Sequence, residues 1–213
     1  MRIIFLIDGF NLYHSLKHAS RDLRLGGTGT RWLNIRAMCE SYRYIIGRTA
    51  IISSIYYFSA LATHLEGTKP DVTRRHRRYI ECLEDTGITV ELGRFKAKEV
   101  HCTSCHAIMI RHEEKETDVA IAVKLLEVCI LDQCDTAVIM TGDTDLAPAI
   151  RTVRRLCPDK QIWVGFPYHR HNAELKLLAH RSFDIKKEQY TKHQFPDPYR
   201  LTSGRLLAKP AQW

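Results

Sequence analysis

Five consecutive apolar residues, Ile3-Ile4-Phe5-Leu6-Ile7, stop abruptly at Asp8-Gly9. A strand with one wet face alternates apolar and polar side chains. An unbroken apolar run is buried on both faces, as in the interior of a parallel sheet. Parallel strands need long crossover connections, in practice helices, and the remaining chain supplies them. Residues 12–18 have helical spacing, Asn34 caps a second helix through Ile35, Met38, Tyr42 and Ile45, and residues 51–60 form a strand rich in Ile, Tyr and Phe. A basic helix opens at Lys69-Pro70-Asp71, carries Arg74-Arg75-His76-Arg77-Arg78 and ends near Gly87; residues 88–98 then alternate as a strand. Residues 114–131 predict the clearest amphipathic helix, with Val119, Ala122, Val123, Leu126 and Ile130 at helical spacing. Strand 135–140, helix 146–154, strand 161–166, helix 173–180 and a short strand 183–185 follow. This order predicts a three-layer α/β fold around a mostly parallel central sheet.

A chain of 213 residues is sufficient for one domain with a sizeable core. That domain is placed over residues 1–190, with a hairpin insertion over about 94–112 that contains the cysteine pair Cys102 and Cys105. Residues 191–213, with Pro196, Pro198 and Pro210, read as a polar and only partly ordered tail. No apolar run approaches the ~20 residues of a membrane span, and the first apolar run, ended by Asp8, is too short for a signal peptide. The expectation is therefore a cytoplasmic protein without a membrane partner, which seven cysteines, an odd number, also fit. A net charge of +8 favours a polyanionic partner. A homo-oligomer is compatible with the sequence.

Acids recur where strands pass into helices. Asp8 ends the first strand, Asp118 lies early in the long helix, and Asp143 and Asp145 follow the apolar run Val138-Ile139-Met140. Each has an ordinary explanation: a turn residue, a helix cap or an acid favoured by the helix dipole. Strand ends that are neighbours would instead bring four carboxylates to one rim. Such charges repel unless a hard cation such as Mg²⁺ or Mn²⁺ sits among them, and a cation so held activates water against a phosphodiester. Asn11 is placed to orient a ligand, and Thr141 to hydrogen-bond a liganding carboxylate.

Three segments carry a family resemblance. Ile7-Asp8-Gly9-Phe10-Asn11-Leu12-Tyr13, Glu114-Lys115-Glu116-Thr117-Asp118-Val119 and Thr141-Gly142-Asp143-Thr144-Asp145-Leu146 resemble, in order, the motifs of the NYN domain family, which is similar to PIN-domain nucleases. Within it the chain most resembles the LabA-like, or domain-of-unknown-function 88, branch. The resemblance implies a PIN-like fold and Mg²⁺- or Mn²⁺-dependent cleavage of RNA, with Asp8, Asp118 and Asp143 as metal ligands and Asp145 as the additional acid. A catalytically inactive RNA-binding or regulatory module on the same fold is the competing expectation. A phosphatase of the haloacid-dehalogenase type would need a second Asp where Phe10 stands.

Basic and aromatic residues suit a single-stranded RNA partner, because phosphate contacts supply affinity and bases stack on rings. Arg151, Arg155, His169, Arg170 and Tyr13 are the candidate contacts; Phe10 and Phe166 are further stacking candidates for which core burial is the stronger expectation. The four arginines of 74–78 spread around their helix and read as a solvated face. Cys102 and Cys105 have the spacing of one zinc knuckle. A structural Zn²⁺ would need two more ligands, from His101, His106, His112, Cys82 or a second subunit, and free thiols in a plain hairpin remain the alternative.

Overall fold

The computed structural model describes residues 1–26, 29–101, 103, 105 and 107–213. The chain runs β1 (Arg2–Asp8), α1 (Gly9–Asp22), α2 (Ile35–Ile46), β2 (Ile51–Ala60), α3 (Asp71–Asp85), β3 (Thr89–His101), β4 (Ile108–Lys115), α4 (Thr117–Ile130), β5 (Thr136–Met140), α5 (Ala147–Leu156), β6 (Gln161–Phe166), α6 (Ala173–Leu178) and β7 (Arg181–Asp184). It closes with α7 (Lys187–Lys192) and a small ribbon of β8 (Tyr199–Arg200) and β9 (Leu206–Leu207). Seven strands form one sheet in the order β4-β3-β2-β1-β5-β6-β7, parallel throughout except for β4 at the edge.

The apolar run of β1 works as its composition requires. Ile3, Phe5 and Ile7 enter a core with α1, α2 and α3, while Ile4 and Leu6 enter a second core with α4, α5 and α6. The three-layer expectation holds.

Three local readings differ. The long helix was expected from residue 114, yet β4 continues to Lys115 because Glu113, Glu114 and Lys115 pair with Lys96, Phe95 and Arg94 of β3. Its buried face is also not the expected one. Ile121, Leu125, Val128 and Cys129 are inside, Ala122 and Leu126 of the expected set pack at the edge of the core, and Val119 and Val123 are more than half exposed. The helix is apolar almost all round, so periodicity left its phase open and the sheet selected it. The expected partly ordered tail is packed: Phe195, Leu201 and Pro210 are buried, and Phe195 and Trp213 stand edge-on to the fully buried Trp32. Its few aromatic residues carry that packing, which an averaged polar composition conceals. The arginines of α3 contribute as well, since Arg78 donates to the Ala208 carbonyl and Arg75 to Gln212.

The hairpin is present as the β3–β4 pair, with His101 opposite Ile108. Cys102 and His106 lie outside the described residues, so the zinc expectation falls partly there; Cys105 is an exposed free thiol. Cys82, a suggested further ligand, is fully buried in the apolar core beneath α3, and His112 stacks on His64 with centroids 4.1 Å apart.

Candidate functional site

From β1 the sheet grows outward through β2 and β3 on one side and through β5, β6 and β7 on the other. A crevice therefore opens at the carboxyl ends of β1 and β5, the switch point where open α/β sheets take ligands. Asp8 ends β1 inside it, 1% exposed. Its Oδ1 accepts the Asn11 backbone N–H at 2.9 Å, capping α1, and its Oδ2 accepts the Asn11 amide at 2.6 Å and the Thr141 hydroxyl at 2.7 Å. Burial raises the pKa of Asp8, outweighing these three bonds, and Asp143 adds to the rise.

Thr141 and Asn11 join the two strand ends. The Thr141 Oγ1 that donates to Asp8 also accepts the Asp143 N–H at 3.1 Å, and the Gly142 N–H donates to Asn11 Oδ1 at 3.4 Å. Asp143 then accepts the Asp145 N–H at 3.0 Å, which starts a short 3-10 turn before α5. Gly142 has no room for a side chain, because a Cβ would lie 2.2 Å from the Arg170 carbonyl oxygen.

Asp118, in the first turn of α4, completes the predicted set. Its pKa is pushed up to about 6, first by burial and then by Asp8, Asp143, Glu114 and Asp145. Glu114 is the acid that sequence reasoning missed. Periodicity places it at the opening of a helix, but it stands near the end of β4, accepts a hydrogen bond from the Thr117 hydroxyl, and has its pKa raised by burial and by Asp8. The signal available was its position four residues before Asp118. On a helix that spacing shares a face; here a left-handed turn at Glu116 (φ 81°) brings the two acids into one field. Among the described residues, none of Asp8, Glu114, Asp118, Asp143 and Asp145 has an ion pair with Lys, Arg or His.

An uncompensated set of oxygen donors has the chemistry of a hard divalent cation site. No preformed cage exists: among the described residues, no three His, Cys, Asp or Glu side chains stand as a group ready to hold a metal.

Cationic and aromatic groups flank the acids unevenly. Burial lowers the His14 pKa, and Arg170, Lys17 and His18 lower it further, so a basic group gathers on α1 and the loop after β6. His169 stacks on His18 at 5.6 Å and lies 3.3 Å from Asp22. Tyr13 is exposed, with Lys17 and Arg31 near its ring at 5.8 and 5.9 Å. Phe10 is exposed too, edge-on to His14, where core burial was the stronger expectation; Phe166 is in the core as expected. Arg151 and Arg155 project from α5, and Arg151 is taken up by Glu174 of α6 at 3.5 Å.

Comparison with known proteins places these features in context. The family model described as the NYN domain matches residues 2–192. A curated relative from Pseudomonas putida (strain DSM 28022 / S16), 6-hydroxy-3-succinoylpyridine 3-monooxygenase HspA, is 26% identical over a 247-residue alignment spanning 100% of this chain and 75% of that protein. A solved structure of a protein of unknown function, VPA0982 from Vibrio parahaemolyticus RIMD 2210633, superposes with a TM-score of 0.57 at 15% identity, covering 87% of this chain and 93% of the other. That likeness concerns the fold alone.

Proposed function

The chain belongs to the NYN domain family, a nuclease-type domain, and on that premise we propose that it is a ribonuclease that depends on Mg²⁺ or Mn²⁺. The observation that carries the reading is the set of five carboxylates without an ion pair at the switch point, where burial first and then the other four acids raise Asp118 to about 6. Asp8, Asp118 and Asp143 would hold the cation directly, with Asp145 and Glu114 beside them. When bound, the cation supplies Lewis acidity and an activated water for phosphodiester hydrolysis. The chain's own residues set the stage. Asn11 and Thr141 fix the Asp8 carboxylate, Thr141 and Gly142 tie β5 to β1, and Arg170, His169 and Tyr13 guide a single strand along the rim.

The test is cleavage of labelled single-stranded RNA by purified protein with Mn²⁺, Mg²⁺ or EDTA. Cleavage is expected only with metal and should fall at least ~100-fold in Asp143→Asn. Full activity in that variant overturns the assignment. The inactive RNA-binding alternative gives RNA retention without cleavage in every arm.

A second reading has one specific observation in its favour, the match of this whole chain to 75% of a relative named for a hydroxypyridine substrate. Under it, the protein would transform a small heteroaromatic acid, and metal-dependent RNA cleavage would be absent.

A further inference from the structure

A cavity of about 350 Å³ opens beside the carboxylates, between α1, β2, α3 and β3, with Trp213 as one wall. Small-ligand sites run from roughly 300 to 1,000 Å³. Cavity and acids share a border. Gly9, which follows Asp8, lines the cavity, and the floor residue Tyr57 has its phenol pushed up to about 12 by burial, with Asp8 and Glu114 contributing. Gly9 is itself pressed onto that floor, since a Cβ there would lie 2.4 Å from the Phe58 carbonyl oxygen and 2.7 Å from the Tyr57 ring.

The lining has a definite chemistry. Phe10 and Tyr13 form an exposed aromatic mouth, and Tyr57, Tyr79, Phe95 and Trp213 line the interior. A polar strip crosses the floor: Tyr57 hydrogen-bonds Ser59, whose Oγ lies 3.5 Å from His76 Nε2. Three lining side chains each keep a buried nitrogen without a hydrogen-bond partner: Arg31 Nε, Arg75 Nε and His64 Nδ1. Buried polar atoms are normally satisfied, so their collection around one cavity points to a ligand with several acceptor atoms. Aromatic walls, a hydroxyl–imidazole strip and two guanidinium groups together suit a planar base carrying an anionic group.

We propose that this cavity receives one nucleotide of a single-stranded polynucleotide. The base stacks among the aromatic walls with its polar edge on Tyr57, Ser59 and His76. The sugar lies at the Phe10–Tyr13 mouth, one flanking phosphate meets Arg31 and Arg75, and the other is directed to the carboxylates. The identity of the ligand as a strand to be cut rests on the nuclease reading above; the ring-binding site does not need that chemistry.

Calorimetric titration in EDTA tests it, using the four ribonucleoside 5′-monophosphates, ribose 5-phosphate and a hydroxypyridine carboxylic acid. At least one nucleotide should bind about tenfold more tightly than ribose 5-phosphate, the effect of one stacked base. Val72→Trp, which fills the cavity from the half-exposed α3, should weaken that nucleotide about tenfold, as should Tyr13→Ala at the exposed mouth, which places no burden on the fold. Equal binding of nucleotides and ribose 5-phosphate, unchanged affinity in both variants, or binding of the hydroxypyridine acid alone would each overturn the proposal. Working without metal separates the two possible failures. Nucleotide binding without RNA cleavage retains the cavity assignment and removes the nuclease reading, whereas cleavage with unchanged site preference in Val72→Trp does the reverse.

Discussion

Capping leaves room for the proposed ligand role of the aspartates. Asp8 caps α1 with one oxygen while its other oxygen is held by Asn11 and Thr141, and Asp143 caps the 3-10 turn before α5. Removing Thr141's hydroxyl should therefore cost more than one hydrogen bond, because it joins Asp8 to Asp143. Thr141→Val should lose ~1–3 kcal/mol of stability in urea unfolding, and an unchanged midpoint would mean that the link carries nothing. Glu114 adds like charge beside Asp118, behind burial, Asp8 and Asp143 in size, so Glu114→Gln should lower the Asp118 pKa from about 6. A carboxyl-carbon NMR titration reads that directly.

At the level of elements, the phase of α4 decides which residues matter. Ile121→Ala empties a fully buried position under β1 and β2 and should cost about 2–5 kcal/mol. Val123→Ala, on the same helix but 56% exposed, should stay within ~0.5 kcal/mol. Chemical denaturation of the pair distinguishes the observed phase from the one that periodicity predicts. Helix α3 contributes a titrating group with the opposite sign to the acids. Burial lowers His76 to about 4 from an ordinary 6.5, so between those values the unfolded chain holds more protons and stability falls as pH falls. Asp118, raised to about 6 from 3.8, makes stability rise as pH falls across its own window. The two slopes oppose in the wild type. His76→Gln should be less acid-sensitive and Asp118→Asn more so, as followed by thermal melts from pH 7 to 4.

For the whole molecule, the proposed cation would link the acid field to the fold. Divalent metal that binds only the folded chain raises the melting temperature. Because protons compete for the same carboxylates, the rise with Mn²⁺ should be larger at pH 8 than at pH 5, and should disappear in Asp143→Asn. An equal shift at both pH values, or in the variant, would place the metal elsewhere. The C-terminal segment belongs to the same unit, since Phe195 and Trp213 pack on Trp32 and Trp213 also walls the cavity.

The alternation of apolar runs with helical spacing was by itself enough to specify a mostly parallel α/β sheet, because burial on both faces and crossover helices are local demands. The acid positions Asp8, Asp118, Asp143 and Asp145 were legible for the same reason, each being tied to a strand end or helix start. The family motifs added the expectation of a metal. What the sequence left open needed partners distant along the chain. Pairing with β3 kept Glu114 on a strand and brought a fifth carboxylate into the cluster, and the sheet chose which apolar side of α4 to bury. A tail with the composition of a solvated segment found Trp32 and Tyr79 to cover. The cavity has the same origin: its walls come from α1, β2, α3, β3 and the last residue described, so no stretch of sequence contains it.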